Sequence, residues 1–303
     1  MTIAAYPEPG DEGDYQGHLV AVDLASGARR VFNALCSDRA EIFDAGGAED
    51  DCAQTQAGIW ARTAAVYDRV SDRLFVTVGN GTFDADHGGY NWGSSVVALR
   101  ADGSTDGGTP LDSYTPTNFQ QLTDDDLDLS STTITLLPLP RRFGLPRLGV
   151  QSGKDGRIRL LDLEDLSGAG APRNIGGELQ ILSVPQGGAV MTQPEAWYDA
   201  ATQRVWLFVA NHRGVSAMQL DADPPEIVPM WKRSDVKGTS PVLANGMLFV
   251  ATSHAITALD AATGEVLWRD NSIGEIHWQS PIVVNKQVFL SDANGHLYKW
   301  EMR

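Results

Sequence analysis

The sequence predicts an all-β protein, a β-propeller built of four-stranded antiparallel blades. Three observations carry that prediction. The stretch Gly238–Asp270 holds four short runs rich in β-branched and aromatic residues, beginning at Ser240-Pro-Val-Leu-Ala, Met247-Leu-Phe-Val-Ala-Thr, Ala255-Ile-Thr-Ala-Leu-Asp and Glu265-Val-Leu-Trp. Tight-turn pairs separate the runs. Asn245-Gly246 suits a two-residue type I′ hairpin, which needs positive φ at both positions, and Thr263-Gly264 supplies a second reversal. The unit then recurs along the chain, and one such blade cannot bury both its faces without stacked neighbours.

Taken in order, six units are readable, at about 1–35, 58–118, 128–184, 188–234, 236–271 and 275–303, all within one domain spanning 1–303. Met1–Ala5 suits a strand. Gly17-His-Leu-Val-Ala-Val-Asp-Leu-Ala-Ser-Gly then parallels the second half of Gly238–Asp270, and an insertion at Asn33–Ala57 follows. The second unit places strands at Thr63–Tyr67, Arg73–Val78 and Ser94–Leu99, with the long polar, aromatic loop Gly79–Gly93 between the last two. Leu111–Leu127 reads as an irregular connection. The third unit places strands at Thr132–Leu137, Arg147–Gln151, Arg157–Leu163 and near Leu179–Ser183. The fourth runs from Met191 through Gln203–Ala210, Val215–Leu220 and Ile227–Lys232. The sixth repeats the fifth through Gln287–Ser291 and Leu297–Trp300 and stops after three strands. No helix is expected. Because the first unit lacks an inner strand and the last an outer one, the chain reads as the C-terminal part of a propeller of seven or eight blades. A closed six-bladed ring is the alternative.

Composition narrows the function classes. A net charge of −16 over 303 residues argues against a nucleic-acid partner, since phosphate neutralisation needs clustered Lys and Arg. No apolar run is long enough to span a membrane. Cys36 and Cys52 lie in a polar segment rich in Gly and Asp, where a disulfide is expected rather than a buried thiol or a metal pair. A disulfide implies an oxidising compartment, periplasmic or extracellular, and with no leader visible the true N-terminus is expected upstream.

The runs Ala258-Leu-Asp-Ala-Ala-Thr-Gly-Glu-Val-Leu-Trp and Ser280-Pro-Ile-Val-Val-Asn…Asp292-Ala-Asn-Gly-His-Leu-Tyr resemble the repeats of the pyrroloquinoline-quinone (PQQ) dehydrogenase-like propellers. In that family a Trp closes the repeat and docks between blades, a slot that Trp268 fits in full and Trp231 by position; the Gly153-Lys-Asp-Gly turn is similar too. The resemblance covers nearly the whole chain and implies the fold. For function it implies either a quinone-binding alcohol dehydrogenase with PQQ and Ca²⁺ or an assembly scaffold that binds neither. The dehydrogenases carry adjacent cysteines, unlike Cys36 and Cys52, and no Cys-x-x-Cys-His haem motif is present. The arrangement looks closer to uncharacterised secreted members.

In a propeller, the segments entering the first strands and the turns between second and third strands open on one face. This groups Trp60, Arg62, Asn80, Asn91, Trp92, Lys154, Asp155, Gln193, Asn211, His277 and Trp278 as candidate ligand-binding residues. Asp124, Asp126 and Asp128 are candidate hard-oxygen ligands for Ca²⁺, although their spacing is that of no known calcium loop. No catalytic triad can be argued from spacing. The expected function is a binding or scaffold module taking a small-molecule or protein ligand on one face, with a fragment of a PQQ- and Ca²⁺-dependent alcohol dehydrogenase as the alternative. Loop Gly79–Gly93 is expected to wall the pocket, with Arg62 and Lys154 making it locally positive.

Overall fold

The structure, a computed structural model, describes residues 2–3, 15–42, 52–61, 63 and 65–301. Arg62, a candidate ligand residue, lies outside the described residues. The strands form six antiparallel sheets. Their contacts divide the chain into two compact units, one made mainly of residues 1–136, 146–155 and 159–181, the other of 137–145, 156–158 and 182–303. Among the described residues no helix is long and apolar enough to cross a membrane.

In the first unit, β1 (Thr2–Ile3), β2 (His18–Val22) and β3 (Arg29–Asn33) make a three-stranded sheet. Strands β4 (Val66–Asp68), β5 (Arg73–Thr77), β6 (Val96–Arg100) and β7 (Asp112–Tyr114) form the second sheet in sequence order. The third contains β8 (Thr135–Leu136), β9 (Leu148–Ser152), β10 (Arg157–Asp162) and β11 (Gln180–Ser183). The stretch 111–127 departs from the expected irregular connection. It contains the fourth strand β7 and a short helix, α1 (Phe119–Asp124), and so corrects the expectation of an all-strand chain. Neither shows in a pattern search, because β7 reads Asp-Ser-Tyr, with no apolar alternation, and α1 makes fewer than two turns, too short for a hydrophobic period to register.

The end of α1 has a definite geometry. Leu127 N–H bonds Leu122 C=O at 2.8 Å, Asp126 N–H bonds Thr123 C=O at 3.3 Å, and Asp126 takes a left-handed φ of 52°. This is a Schellman stop with aspartate in the place usually held by glycine, and Leu122 and Leu127 join the same apolar cluster.

In the second unit, β12 (Glu195–Asp199), β13 (Arg204–Asn211), β14 (Gly214–Ala222) and β15 (Pro225–Arg233) form one four-stranded meander. A second contains β16 (Val242–Ala244), β17 (Met247–Thr252), β18 (Ala255–Asp260) and β19 (Val266–Asp270). The last sheet has three strands, β20 (Ile282–Val284), β21 (Gln287–Ser291) and β22 (Leu297–Glu301). Asn245 and Gly246 both have positive φ, 50° and 74°, as the type I′ reading requires. Asn285-Lys286 makes the equivalent turn in the last sheet at 50° and 61°, without a glycine to announce it. Alternate residues of the middle strands interdigitate between sheets: Phe208, Val215, Leu248, Val250 and Leu259 form one cluster, and Phe249, Ile256, Val288 and Leu290 the next. Trp268 meets Trp300 of the last sheet edge to face at 5.6 Å, and Trp231 donates its indole N–H to Ala261 C=O at 3.1 Å, so both repeat tryptophans link neighbouring sheets.

Cys36 and Cys52 are joined in a disulfide. The 16-residue separation puts its expected stabilisation at about 3 kcal/mol, through loss of loop entropy in the unfolded chain. Thiol titration of non-reduced, denatured protein should therefore find no free thiol, and reduction should lower the unfolding free energy by about that amount. Two reactive thiols would remove the bridge from the account.

Candidate functional site

The structure gathers some of the candidate residues into one cluster in each unit and leaves the others elsewhere. In the first unit the Ser152-Gly-Lys-Asp-Gly turn presents Lys154. Its Nζ lies 2.6 Å from Asp128 and 3.2 Å from Asp126, and 5.6 Å from the centre of the half-buried Trp60 ring. Lys154 N–H also bonds Asp128 C=O at 3.0 Å, which fixes the turn against the segment after α1. Asn80 completes the group: its backbone N–H bonds Asp128 Oδ1 at 3.0 Å and its amide donates to Asp126 at 3.2 Å. Gly79 permits this approach, since a Cβ there would stand 2.7 Å from Asp128 Oδ1 and 2.6 Å from Ser130 Oγ. Trp60, Asn80, Asp126, Asp128 and Lys154 therefore converge.

The electrostatics of this cluster are largely closed. Burial works to lower the pKa of Lys154, but the hydrogen bonds and charges of Asp128 and Asp126 outweigh it and hold the ammonium above its ordinary range. Two carboxylates face one ammonium, and the side chains of Lys154 and Asp128 are mostly withdrawn from water. Asp124 stands apart, exposed and bonded to Gln120 on its own helix. Asp155 is turned to Arg159, 2.5 Å away, in a pair with both side chains buried.

Asn91 and Trp92 serve the loop that carries them. Asn91 donates its amide to Asp84 at 2.6 Å and accepts Cys36 N–H at 3.0 Å. Trp92 is fully buried and donates its indole N–H to Ser37 at 2.8 Å. Arg173 lies over the rings of Tyr90 and Trp92 and bonds the carbonyl oxygens of Ala85 and Gly89. Loop 79–93 is thus packed down on the segment bearing the disulfide. Sequence reasoning missed Arg173, which lies in a Gly-rich linker and gives no local signal.

In the second unit Asn211, His277 and Trp278 line a cleft of about 290 Å³, together with Met191, His212, Lys237 and Ile276. Gly238 brings two sheets together there: its N–H bonds Asn211 C=O at 3.2 Å, and a Cβ would lie 2.3 Å from Ala251 C=O. Thr239 Oγ1 ties the same segment to Gln279 C=O at 2.8 Å. Gln193 sits just outside the cleft, its backbone N–H on Ser240 Oγ at 2.9 Å. Nearby in sequence, burial alone pushes the Glu195 carboxyl up to about 7. Propeller topology puts Lys237 and His212 on the same face as the candidates without singling them out, because their shared position depends on three sheets meeting.

With this geometry in place, residues 196–302 match the family described as outer membrane protein assembly factor BamB. The fold of the whole chain is that of the PQQ-like β-propellers. Among solved structures, BamB from Moraxella catarrhalis matches with a TM-score of 0.52 at 15% identity, over 95% of this chain and 69% of that one. The quinohemoprotein alcohol dehydrogenase from Comamonas testosteroni matches with a TM-score of 0.58 at 17% identity, over 94% and 53%. A europium-containing methanol dehydrogenase gives 0.59 at 17% identity, over 96% and 62%. The chain thus spans little more than half the length of these two dehydrogenases. No curated protein matches by sequence.

The PQQ and Ca²⁺ of the dehydrogenase resemblance can be tested against these residues. Asp126, Asp128 and Asn80 offer hard oxygens, but the Lys154 ammonium already stands against both carboxylates. Among the described residues no three His, Cys, Asp or Glu side chains come together to hold a metal ion. Ca²⁺, which takes six to eight oxygens, does not fit this arrangement unless Lys154 leaves.

Proposed function

We propose that this chain is a binding or scaffold propeller of the periplasm or cell exterior, with all six sheets in one domain and a small-molecule or protein ligand taken on one face. The observation that carries the reading is the Lys154 cluster. Its ammonium is held between Asp128 and Asp126 beside the Trp60 ring, so the chain itself supplies the cation that faces these carboxylates. The Cys36–Cys52 disulfide supports an oxidising compartment. The match of 196–302 to an assembly-factor family supports a role without turnover.

The second reading, a fragment of a PQQ- and Ca²⁺-dependent alcohol dehydrogenase, has one observation in its favour. Asn80 Oδ1 is buried beside Asp126 without a hydrogen-bond partner among the described residues, which leaves one acceptor for a cation or donor. Absorbance titration with PQQ and Ca²⁺, followed by dye reduction with simple alcohols, separates the two. The binding-module reading expects no stoichiometric quinone uptake and no turnover. Uptake of one quinone per chain with alcohol-dependent dye reduction would replace it with the second.

A further inference from the structure

We propose that the cleft of the second unit is a binding site for a small organic acid with a flat, apolar body. The inference deepens the binding-module reading and rests on it, because the ligand is held rather than converted. The chain carries a net charge of −16, and many of its cations are already paired with carboxylates: Arg30 with Asp102, Arg100 with Asp106, Arg147 with Asp68, Arg233 with Asp235, and Lys299 with Glu301. Lys237 differs. It lines the cleft and has no ion pair or hydrogen bond among the described residues. Among the described residues no carboxylate side chain lines the cleft with it. A cation without a counter-ion inside an acidic surface is a local positive spot, and it favours an anion small enough to enter.

The neighbouring donors point the same way. His212 and His277 line the cleft, and neither imidazole has a hydrogen-bond partner among the described residues. Three other polar side chains of the lining are engaged. The Asn211 amide donates to Gly187 C=O and accepts Arg213 and Gly214 N–H, while the Thr192 and Thr239 hydroxyls donate to Ala210 and Gln279 carbonyl oxygens. The Lys237 ammonium and a ring N–H from each imidazole therefore leave donors available to a carboxylate, which only accepts hydrogen bonds. A lysine ammonium meets it as a point charge without imposing forked geometry.

The body of the ligand follows from the rest of the lining. Trp278 is 36% exposed, stacked on His277 with ring centres 4.9 Å apart, and shares the cleft with Met191 and Ile276. An aromatic face with apolar side chains around it suits a flat apolar group. The volume, about 290 Å³, is at the lower edge of the usual range for small-molecule sites, so the acid is compact.

The test uses the full chain with 2-naphthoate and its uncharged counterpart of the same shape, 2-naphthamide, followed by calorimetry and tryptophan fluorescence. Naphthoate is expected to bind one per chain with Kd on the order of 100 µM, and naphthamide at least about tenfold more weakly. Lys237→Met should weaken naphthoate by about tenfold and leave naphthamide unchanged, and Trp278→Leu should weaken both. Lys237 is exposed, so the variant should melt where the parent does; Lys237→Gln serves as a second charge-removing variant. Equal affinity for acid and amide, an unchanged Kd in both lysine variants, or no saturable binding of naphthoate at millimolar concentration overturns the site. Turnover in the PQQ assay would overturn the binding-module reading while leaving a charge-dependent naphthoate result in place, so the two failures are distinguishable.

Discussion

Replacing Arg159 with methionine is expected to lower the unfolding free energy by about 3–5 kcal/mol, the cost of leaving a buried charge without its partner. Arg159 is 1% exposed in the first unit. Its guanidinium meets Asp155 at 2.5 and 3.3 Å and reaches Gln151 at 3.4 Å. Desolvation works to lower the pKa of Arg159, but hydrogen bonding and charge from Asp155 outweigh it, so the pair stays ionic. Methionine fills the volume but takes the guanidinium away from the buried Asp155 carboxylate. Adding Asp155→Asn should recover much of the loss, because the pair interacts as a unit and a buried ion pair gains little over a neutral replacement. Denaturant unfolding of the two single variants and the double variant measures this. A loss under about 1 kcal/mol for Arg159→Met would mean that water reaches the pair.

Trp92→Ala is expected to cost a similar amount, about 3–5 kcal/mol, as for other large buried aromatics. The indole is fully buried among Leu35, Ile59, Val76 and Val97. Its backbone N–H bonds Ala34 C=O at 2.9 Å, and the Arg173 guanidinium lies 5.5 Å from the ring centre. Trp92→Phe should cost less, about 1–2 kcal/mol, keeping most of the packing while leaving Ser37 without the indole donor. Limited proteolysis adds a local readout. In Trp92→Ala, cleavage should begin within 79–93 before the second unit is cut, since the indole anchors that loop. A variant as stable and as resistant as the parent would return Trp92 to the list of ligand-facing residues.

These residues also show where sequence reading reached and where it stopped. Strands and turns were legible because their signals are local. Alternation in Met247–Thr252 and Ala255–Asp260, and the positive φ demanded at Asn245-Gly246, are properties of adjacent residues. The Cys36–Cys52 pairing was legible because two cysteines allow only one bridge between them. Helix α1 was not legible, being too short for periodicity to exceed its noise, and β7 was not, because Asp-Ser-Tyr carries no apolar alternation.

The candidate site divided along the same line. That Lys154, Trp60 and Asn80 belong together followed from propeller topology, which assigns turns to a face before any coordinate is known. That Asp126 and Asp128 close on Lys154 depended on a left-handed aspartate ending a six-residue helix, and composition does not record which way such a chain turns. Trp92 and Trp278 look alike in sequence, each beside a polar residue in a loop, yet one is fully buried and the other is 36% exposed at a cleft. The sequence by itself determined the blade, its turns, the acidic surface and the pool of polar residues at the loops. Only the tertiary structure decided which of those residues meet a partner within the chain and which are left facing water. The physical reason is that burial and pairing are set by segments far apart in sequence, whereas strand and turn propensities are set by neighbours.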